Sequence, residues 1–388
     1  MLRGTGRGYD AAVTDIIPGP DRSQARFRLF LIAIVAVVAS IYVGFGISTA
    51  AESLGYDYFV YSDAADRYLS GEPLYDTSVT RTGVGNVYQY PPTFVALALP
   101  FSLPDFEVGN AAWMAFLLSC FVVGCLIIPV RWEVKLGIFL AGATGWPLIF
   151  GVRIGQVVPI LFLLFSIGWR WLDRPGVVGV IGALGALIKL QPVVLLGWLA
   201  AVGSWRGVAV GALTGGVLAG AAALVGLGQC ADLLTLLRNL ADATDVSANV
   251  SLGATAYALG LPREEAGVLQ SIGVVAVLGI VVVCARRSSR EASYLVAVIA
   301  SQIISPIIWT HYALILLLPV AWLLQRRQWW AALIPLSQAW VLLPFAPLWI
   351  YPLSFYAALI AVPLVDRQWA PTKDPVGVAG ASPLSPAA

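Results

Sequence analysis

The chain alternates long apolar runs with short breaks that carry the charges. A membrane span takes about 20 apolar residues. Runs of about that length, or pairs of shorter ones, lie at 27–50, 110–130, 136–150, 155–170, 208–227, 268–285, 294–309, 313–324, 329–344 and 349–365. Two shorter pieces, 177–188 and 193–202, flank Lys189, Gln191 and Pro192. Read as one span, they would bury Lys189 at mid-membrane, at about 3 kcal/mol, so two short helices meeting near one face are expected. Another piece, 93–103, is too short to cross and reads as interfacial or re-entrant. The pattern predicts an all-α polytopic membrane protein of about twelve spans.

The basic clusters orient it. Arg22 and Arg26 precede the first run and Arg28 lies at its start; Arg131 with Lys135, Arg170 with Arg174, Arg206, Arg286 with Arg287 and Arg290, Arg326 with Arg327, and Arg367 follow at alternate ends. The positive-inside rule places them and both termini in the cytoplasm, for a plasma-membrane protein working on the outer face. Residues 1–25 and the Pro/Ala/Gly-rich tail 368–388 are expected to be disordered, around one transmembrane domain over 26–367. The first segment is too long and polar for the head of a cleaved signal peptide. Two outer loops follow, about 51–108 and 228–266.

Within the first loop, residues 56–75 are polar, aromatic and acidic. As a helix they put Asp57, Tyr61, Ala64 and Tyr68 on one face and turn Asp63 and Asp66 away. Gly71 and Pro73 stop the helix. Asp57 is thereby singled out as a carboxylate beside tyrosines, or else caps the helix N-terminus.

Composition agrees with the membrane reading: 59% of the 388 residues are hydrophobic and 11% charged, against about a quarter charged in soluble domains. A net charge of +2 gives no sign of nucleic-acid binding. The four cysteines have neither metal-ligand spacing nor the density of a disulfide framework.

On this topology Asp57, Tyr61, Arg153, Gln156, Lys189, Gln191 and His311, the single histidine, collect on the outer side. Each has a plain alternative: Arg153 and Lys189 could snorkel, Gln156 could bond a neighbouring helix, and His311 could be a satisfied interfacial side chain. Together they fit glycosyl transfer from a lipid-phosphate sugar. A carboxylate can take the acceptor proton, and cationic and amide donors can stabilise the leaving phosphate.

The motifs resemble those of glycosyltransferase family 87, membrane mannosyltransferases of the GT-C type. They are Asp57…Tyr61…Ala64-Ala65…Gly71-Glu72-Pro73-Leu74-Tyr75, Tyr88-Gln89-Tyr90-Pro91-Pro92, Gly155-Gln156, Lys189-Leu190-Gln191-Pro192, Asn249-Val250-Ser251-Leu252 and Ser305-Pro306…Trp309-Thr310-His311-Tyr312, in that order over about residues 30–365. The resemblance implies a GT-C-like bundle, a polyprenyl-phosphate-sugar donor, usually mannose, a glycolipid or glycan acceptor, and inversion at the anomeric carbon. It implies that Asp57 is the general base, that His311 lies near the donor phosphate or acceptor, and that Tyr61, Tyr90, Gln156, Lys189 and Gln191 bind substrate, with no metal or other cofactor. The late motif has one basic residue where many members have two basic or aromatic residues together. The alternatives are a lipid or sugar transporter or flippase, another lipid-linked polymerase or ligase, and a structural subunit. A flippase would favour broken helices in symmetric positions, and the pair around Lys189 has no clear counterpart.

Overall fold

The computed structural model describes residues 54–80, 87–224, 226, 229–246, 248–337 and 349–366, with Phe30 and Val37. The expected first span apart from Phe30 and Val37, the N-terminal segment, the C-terminal tail and part of the 329–344 run lie outside these residues. The described secondary structure is helical throughout. The helices are α1 (Tyr56–Ser70), α2 (Phe94–Ser102), α3 (Phe106–Ile127), α4 (Trp132–Ala143), α5 (Trp146–Ile154), α6 (Val158–Arg170), α7 (Pro175–Ile188), α8 (Val194–Ala201), α9 (Trp205–Leu224), α10 (Cys230–Asn239), α11 (Leu252–Ala258), α12 (Arg263–Arg287), α13 (Arg290–Ile303), α14 (Leu317–Gln325), α15 (Leu333–Ser337) and α16 (Ile350–Val365). Short 3₁₀ turns, Gln191–Val193 and Thr310–Leu316, lead into α8 and α14.

Among the described residues three helices, α3, α9 and α12, are long and apolar enough to cross a membrane, and the pair α4–α5, bent by 55°, makes a fourth where it is counted as one broken span rather than a re-entrant loop. The sequence reading expected about twelve spans. The others that fall on described residues are apolar helices, some extended by 3₁₀ turns, of 17 residues or fewer. They are short because specific residues break them. Lys189 has extended backbone after α7, and Gly155, at φ 84, ends α5. Two expectations hold: α7 and α8 meet at Lys189, and α2, at nine residues, is too short to cross.

α13 is at the centre. Every side chain from Ala292 to Ile303 is buried, which a helix attains only when packed all round. α14 is nearly as enclosed, with Trp322 and Leu323 fully buried. α9 and α12 face outward, exposing Leu213 and Val217 on one and Val268, Ile272 and Val275 on the other. Such apolar exteriors suit hydrocarbon and would be costly in water. α9 packs on α7 through small residues: a Cβ on Gly179 would stand 2.1 Å from the Gly207 carbonyl oxygen.

α1 forms as expected. Gly71, at φ 73, caps its end and donates its backbone N–H to the Arg67 and Tyr68 carbonyls. Tyr61 and Ala64 are fully buried and Tyr68 partly so, while Asp66 is exposed and Asp63 pairs with Arg67 at 2.8 Å. The buried face is broader than the spacing implied, because Tyr58, Val60 and Ala65 are also enclosed.

Candidate active site

α1 is fastened to the bundle at its first turn. Gly55 N donates to the Arg153 carbonyl at 2.8 Å, and Tyr58 Oη donates to the Phe101 carbonyl at 2.7 Å. Trp113 Nε1 holds the Gly155 carbonyl at 2.7 Å. These bonds lay the start of α1 across the α5–α6 junction and bring Asp57 to Gln156.

Asp57 does not cap its helix; the preceding cap position is Gly55, with no side-chain bond. Its Oδ2 instead accepts from Gln156 Nε2 at 2.6 Å. Gln156 Oε1 accepts from its neighbour's backbone, Val157 N, at 2.9 Å, which fixes the amide with Nε2 toward the carboxylate. The same Oε1 accepts from Tyr90 Oη at 3.2 Å, and Tyr90 Oη accepts from Tyr61 Oη at 2.9 Å. The donors run in one direction, Tyr61 to Tyr90 to Gln156 to Asp57, and terminate on the carboxylate. Burial raises the Asp57 carboxyl to about 6, against the opposing pull of the Lys189 charge and the Gln156 hydrogen bond.

The network rests on aromatic rings. The Tyr61 ring meets those of Phe94, Tyr90 and Trp113 at 4.8, 5.0 and 5.7 Å between centroids, all near edge-to-face. Tyr75 Oη grips the Tyr90 carbonyl at 2.7 Å, and Tyr88 Oη the Pro91 carbonyl at 3.0 Å. The Tyr75 and Tyr88–Pro91 motifs thus support the chain that carries Tyr90.

On the opposite side, Lys189 Nζ donates to Tyr312 Oη and lies 4.0 Å from the Tyr312 ring centroid and 5.7 Å from that of Tyr90. Tyr312, named in the sequence as the neighbour of His311 but given no role, is therefore the residue that holds the lysine. His311 is buried between Phe150 and Tyr312, at 6.0 and 5.0 Å between centroids. Neither of its ring nitrogens has a hydrogen-bond partner among the described residues. Buried polar atoms left unpaired are costly.

Gln191 does not join the Asp57 network. Its Nε2 donates to Ser305 Oγ at 3.0 Å, tying the α7–α8 break to the late motif. Asn249 does similar work. Its Nδ2 donates to the Ala243 and Pro306 carbonyls at 2.9 and 3.0 Å, and its Oδ1 accepts from Ser251 N and Ile308 N, each at 3.0 Å. Val250 N adds a bond to the Ile308 carbonyl at 2.8 Å, and Ser251 caps α11. The Asn249–Ser251 motif is a clamp on residues 306–308, just before His311.

The apolar exterior and all-helical bundle define an integral membrane protein, in which one carboxylate, Asp57, feels the charge of Lys189 amid a cluster of aromatic rings. The chain belongs to glycosyltransferase family 87, whose family model matches residues 88–309, more than half its length. That segment contains Tyr90, Gln156, Lys189 and Gln191; Asp57 and Tyr61 lie well before its start, and His311 lies just beyond its end. No curated protein and no solved structure matches the chain.

Proposed function

We propose that this glycosyltransferase moves a sugar, with mannose the expected one, from a polyprenyl-phosphate-sugar donor to a glycolipid or glycan acceptor on the outer face of the plasma membrane, inverting the anomeric centre. The observation that carries the reading is the junction of Asp57 with Gln156, opposite Lys189 and His311. Membership of a glycosyltransferase family favours transfer over transport.

In this reading the acceptor hydroxyl oxygen attacks the anomeric carbon as the bond from that carbon to the phosphate oxygen breaks. The proton passes to Asp57 Oδ1, the oxygen not engaged by Gln156, and the lipid phosphate leaves with the bonding pair. A carboxyl near 6 is ionised at neutral pH and still basic enough to take that proton. Charge grows on the leaving phosphate, where Lys189 and the single ring N–H of a neutral His311 supply stabilisation. Tyr61, Tyr90 and Gln156 hold the base in place. Neither a metal nor another cofactor enters the scheme.

The test is to give the purified protein polyprenyl-phosphate mannose, glucose and arabinose donors in turn and follow release of the lipid phosphate with acceptor present. Transfer from the mannose donor, giving a product of inverted anomeric configuration by NMR, is expected. Retained configuration, or uptake of donor without bond cleavage, would contradict the scheme.

A further inference from the structure

At the far end of the bundle lies a recess of about 900 Å³ that the transfer reaction does not use. Three elements link it to the candidate active site. α6 begins beside Gln156 and carries in its last turn Trp169, which lines the recess. α13 begins there at Arg290 and ends beside Ser305. The segment from His311 through α14 ends there at Gln325 and Arg326. At about 1.5 Å per helical residue, α6 alone separates the two sites by about 20 Å.

Three arginines line the recess, Arg290, Arg326 and Arg327, with two acids, Glu291 and Asp366. Both acids are already engaged. Glu291 Oε2 pairs with Arg326 at 3.0 Å and accepts from Trp322 Nε1 at 3.2 Å, while Asp366 accepts from the backbone N–H of Ser289. Arg326 also stacks on Trp322, 3.7 Å from its ring centroid. Neither Arg290 nor Arg327 has an ion-pair partner among the described residues; Arg290 reaches Ser204 Oγ at a long 3.4 Å. A second observation points to a ligand. Trp169, 3% exposed, lines the same recess, and its indole Nε1 has no hydrogen-bond partner among the described residues. A buried indole N–H normally finds an acceptor. Two unpaired guanidinium groups and an unpaired indole donor call for a ligand that only accepts and carries negative charge.

Pro129, Val130 and Val365 form an apolar part of the lining, and the volume far exceeds that of a bare anion. We infer that this recess binds a phosphate group, carried on an amphiphile such as an anionic phospholipid, between Arg290, Arg327 and the Trp169 indole. Basic recesses between membrane helices are suited to such headgroups. The site is separate from the donor site and rests on none of the chemistry proposed there.

The test compares wild type with Arg290→Gln/Arg327→Gln, with Trp169→Phe, and with Arg286→Gln/Arg287→Gln, whose arginines end α12 but do not line the recess. Each is placed in phosphatidylglycerol or phosphatidylcholine nanodiscs, or in detergent with inorganic phosphate. Thermal stability and lipid retained after detergent exchange, by native mass spectrometry, are recorded. The expected result is that wild type and Arg286→Gln/Arg287→Gln retain an anionic lipid that Arg290→Gln/Arg327→Gln loses, and that Trp169→Phe holds it at least several-fold more weakly. A stabilising response to inorganic phosphate that the recess variants lose supports the same site with free phosphate as the source. Retention and phosphate response unchanged in both recess variants, or lost equally in Arg286→Gln/Arg287→Gln, would overturn the assignment.

Discussion

Gln156 reaches across 99 residues of sequence to donate its side-chain amide to Asp57 at 2.6 Å, while its own oxygen is held by Val157 N and Tyr90 Oη. The Asp57 carboxylate is thus oriented by a residue whose own rotamer is fixed from two sides. Gln156→Leu, which keeps the bulk and removes the donor, is expected to lower the transfer rate about 10- to 100-fold, less than the roughly 10²–10⁴-fold that a general base itself contributes. Donor binding should be little changed. Steady-state kinetics alongside a donor-binding titration checks this; a raised KM at unchanged kcat would assign Gln156 to substrate binding instead.

The raised Asp57 carboxyl sets a pH profile. The proposed base works ionised, so transfer should fall about tenfold per pH unit below about 6 and be flat above it. A rate profile from pH 4.5 to 8 reads this directly. A flat profile through pH 6 would separate the reaction from Asp57.

The same shift has a consequence for stability. The folded-state value lies above the ordinary carboxyl value of 3.8, so folding favours the protonated form. Stability attributable to this group is therefore full below about 4 and declines as pH rises to about 6. Asn at this position carries no charge and can still accept from Gln156. Asp57→Asn should melt above wild type at pH 7.5, with the gap closing toward pH 4. A variant that melts lower at pH 7.5 would show that the ionised carboxylate stabilises the fold.

Gly155→Ala should damage the site from within the backbone. Gly155 has φ 84, and an added Cβ would stand 2.8 Å from Tyr58 Cβ and 3.0 Å from its backbone nitrogen. Left-handed backbone costs a non-glycine residue about 1–3 kcal/mol, and the clash would also push α1 from the α5–α6 junction. A lower melting temperature together with loss of transfer is expected. Wild-type behaviour in both would mean that the junction yields without disturbing Asp57.

Much of this site was legible in the sequence because it depends on local periodicity. The spacing of Asp57, Tyr61, Ala64 and Tyr68 fixes a helix face, and Gly71 fixes its end. The Lys189-to-Pro192 break follows from charge placement. What could not be read were contacts made across the bundle. No local signal says that Tyr312 rather than His311 holds Lys189, that Gln191 meets Ser305, or that Asn249 clamps residues 306–308. Span length was also less legible: the apolar runs do not reveal that the chain bends by 55° between α4 and α5, or that 3₁₀ turns interrupt the later helices.

The clamp gives a contrast to Asp57. Asn249 makes four side-chain bonds, and Asn249→Ala leaves buried partners unpaired at about 1–3 kcal/mol each. A marked fall in melting temperature is expected, with any loss of transfer following from loss of fold. An unchanged melting temperature with transfer abolished would place Asn249 among the reacting groups.

The central claim is that Asp57 removes the acceptor proton. The most direct measurement is sugar transfer from polyprenyl-phosphate mannose by wild type and Asp57→Asn, with donor binding followed in parallel on the same folded samples. The account predicts donor binding close to wild type and transfer slower by about 10²- to 10⁴-fold or more. Transfer at the wild-type rate by Asp57→Asn would contradict it and remove the general base from this site.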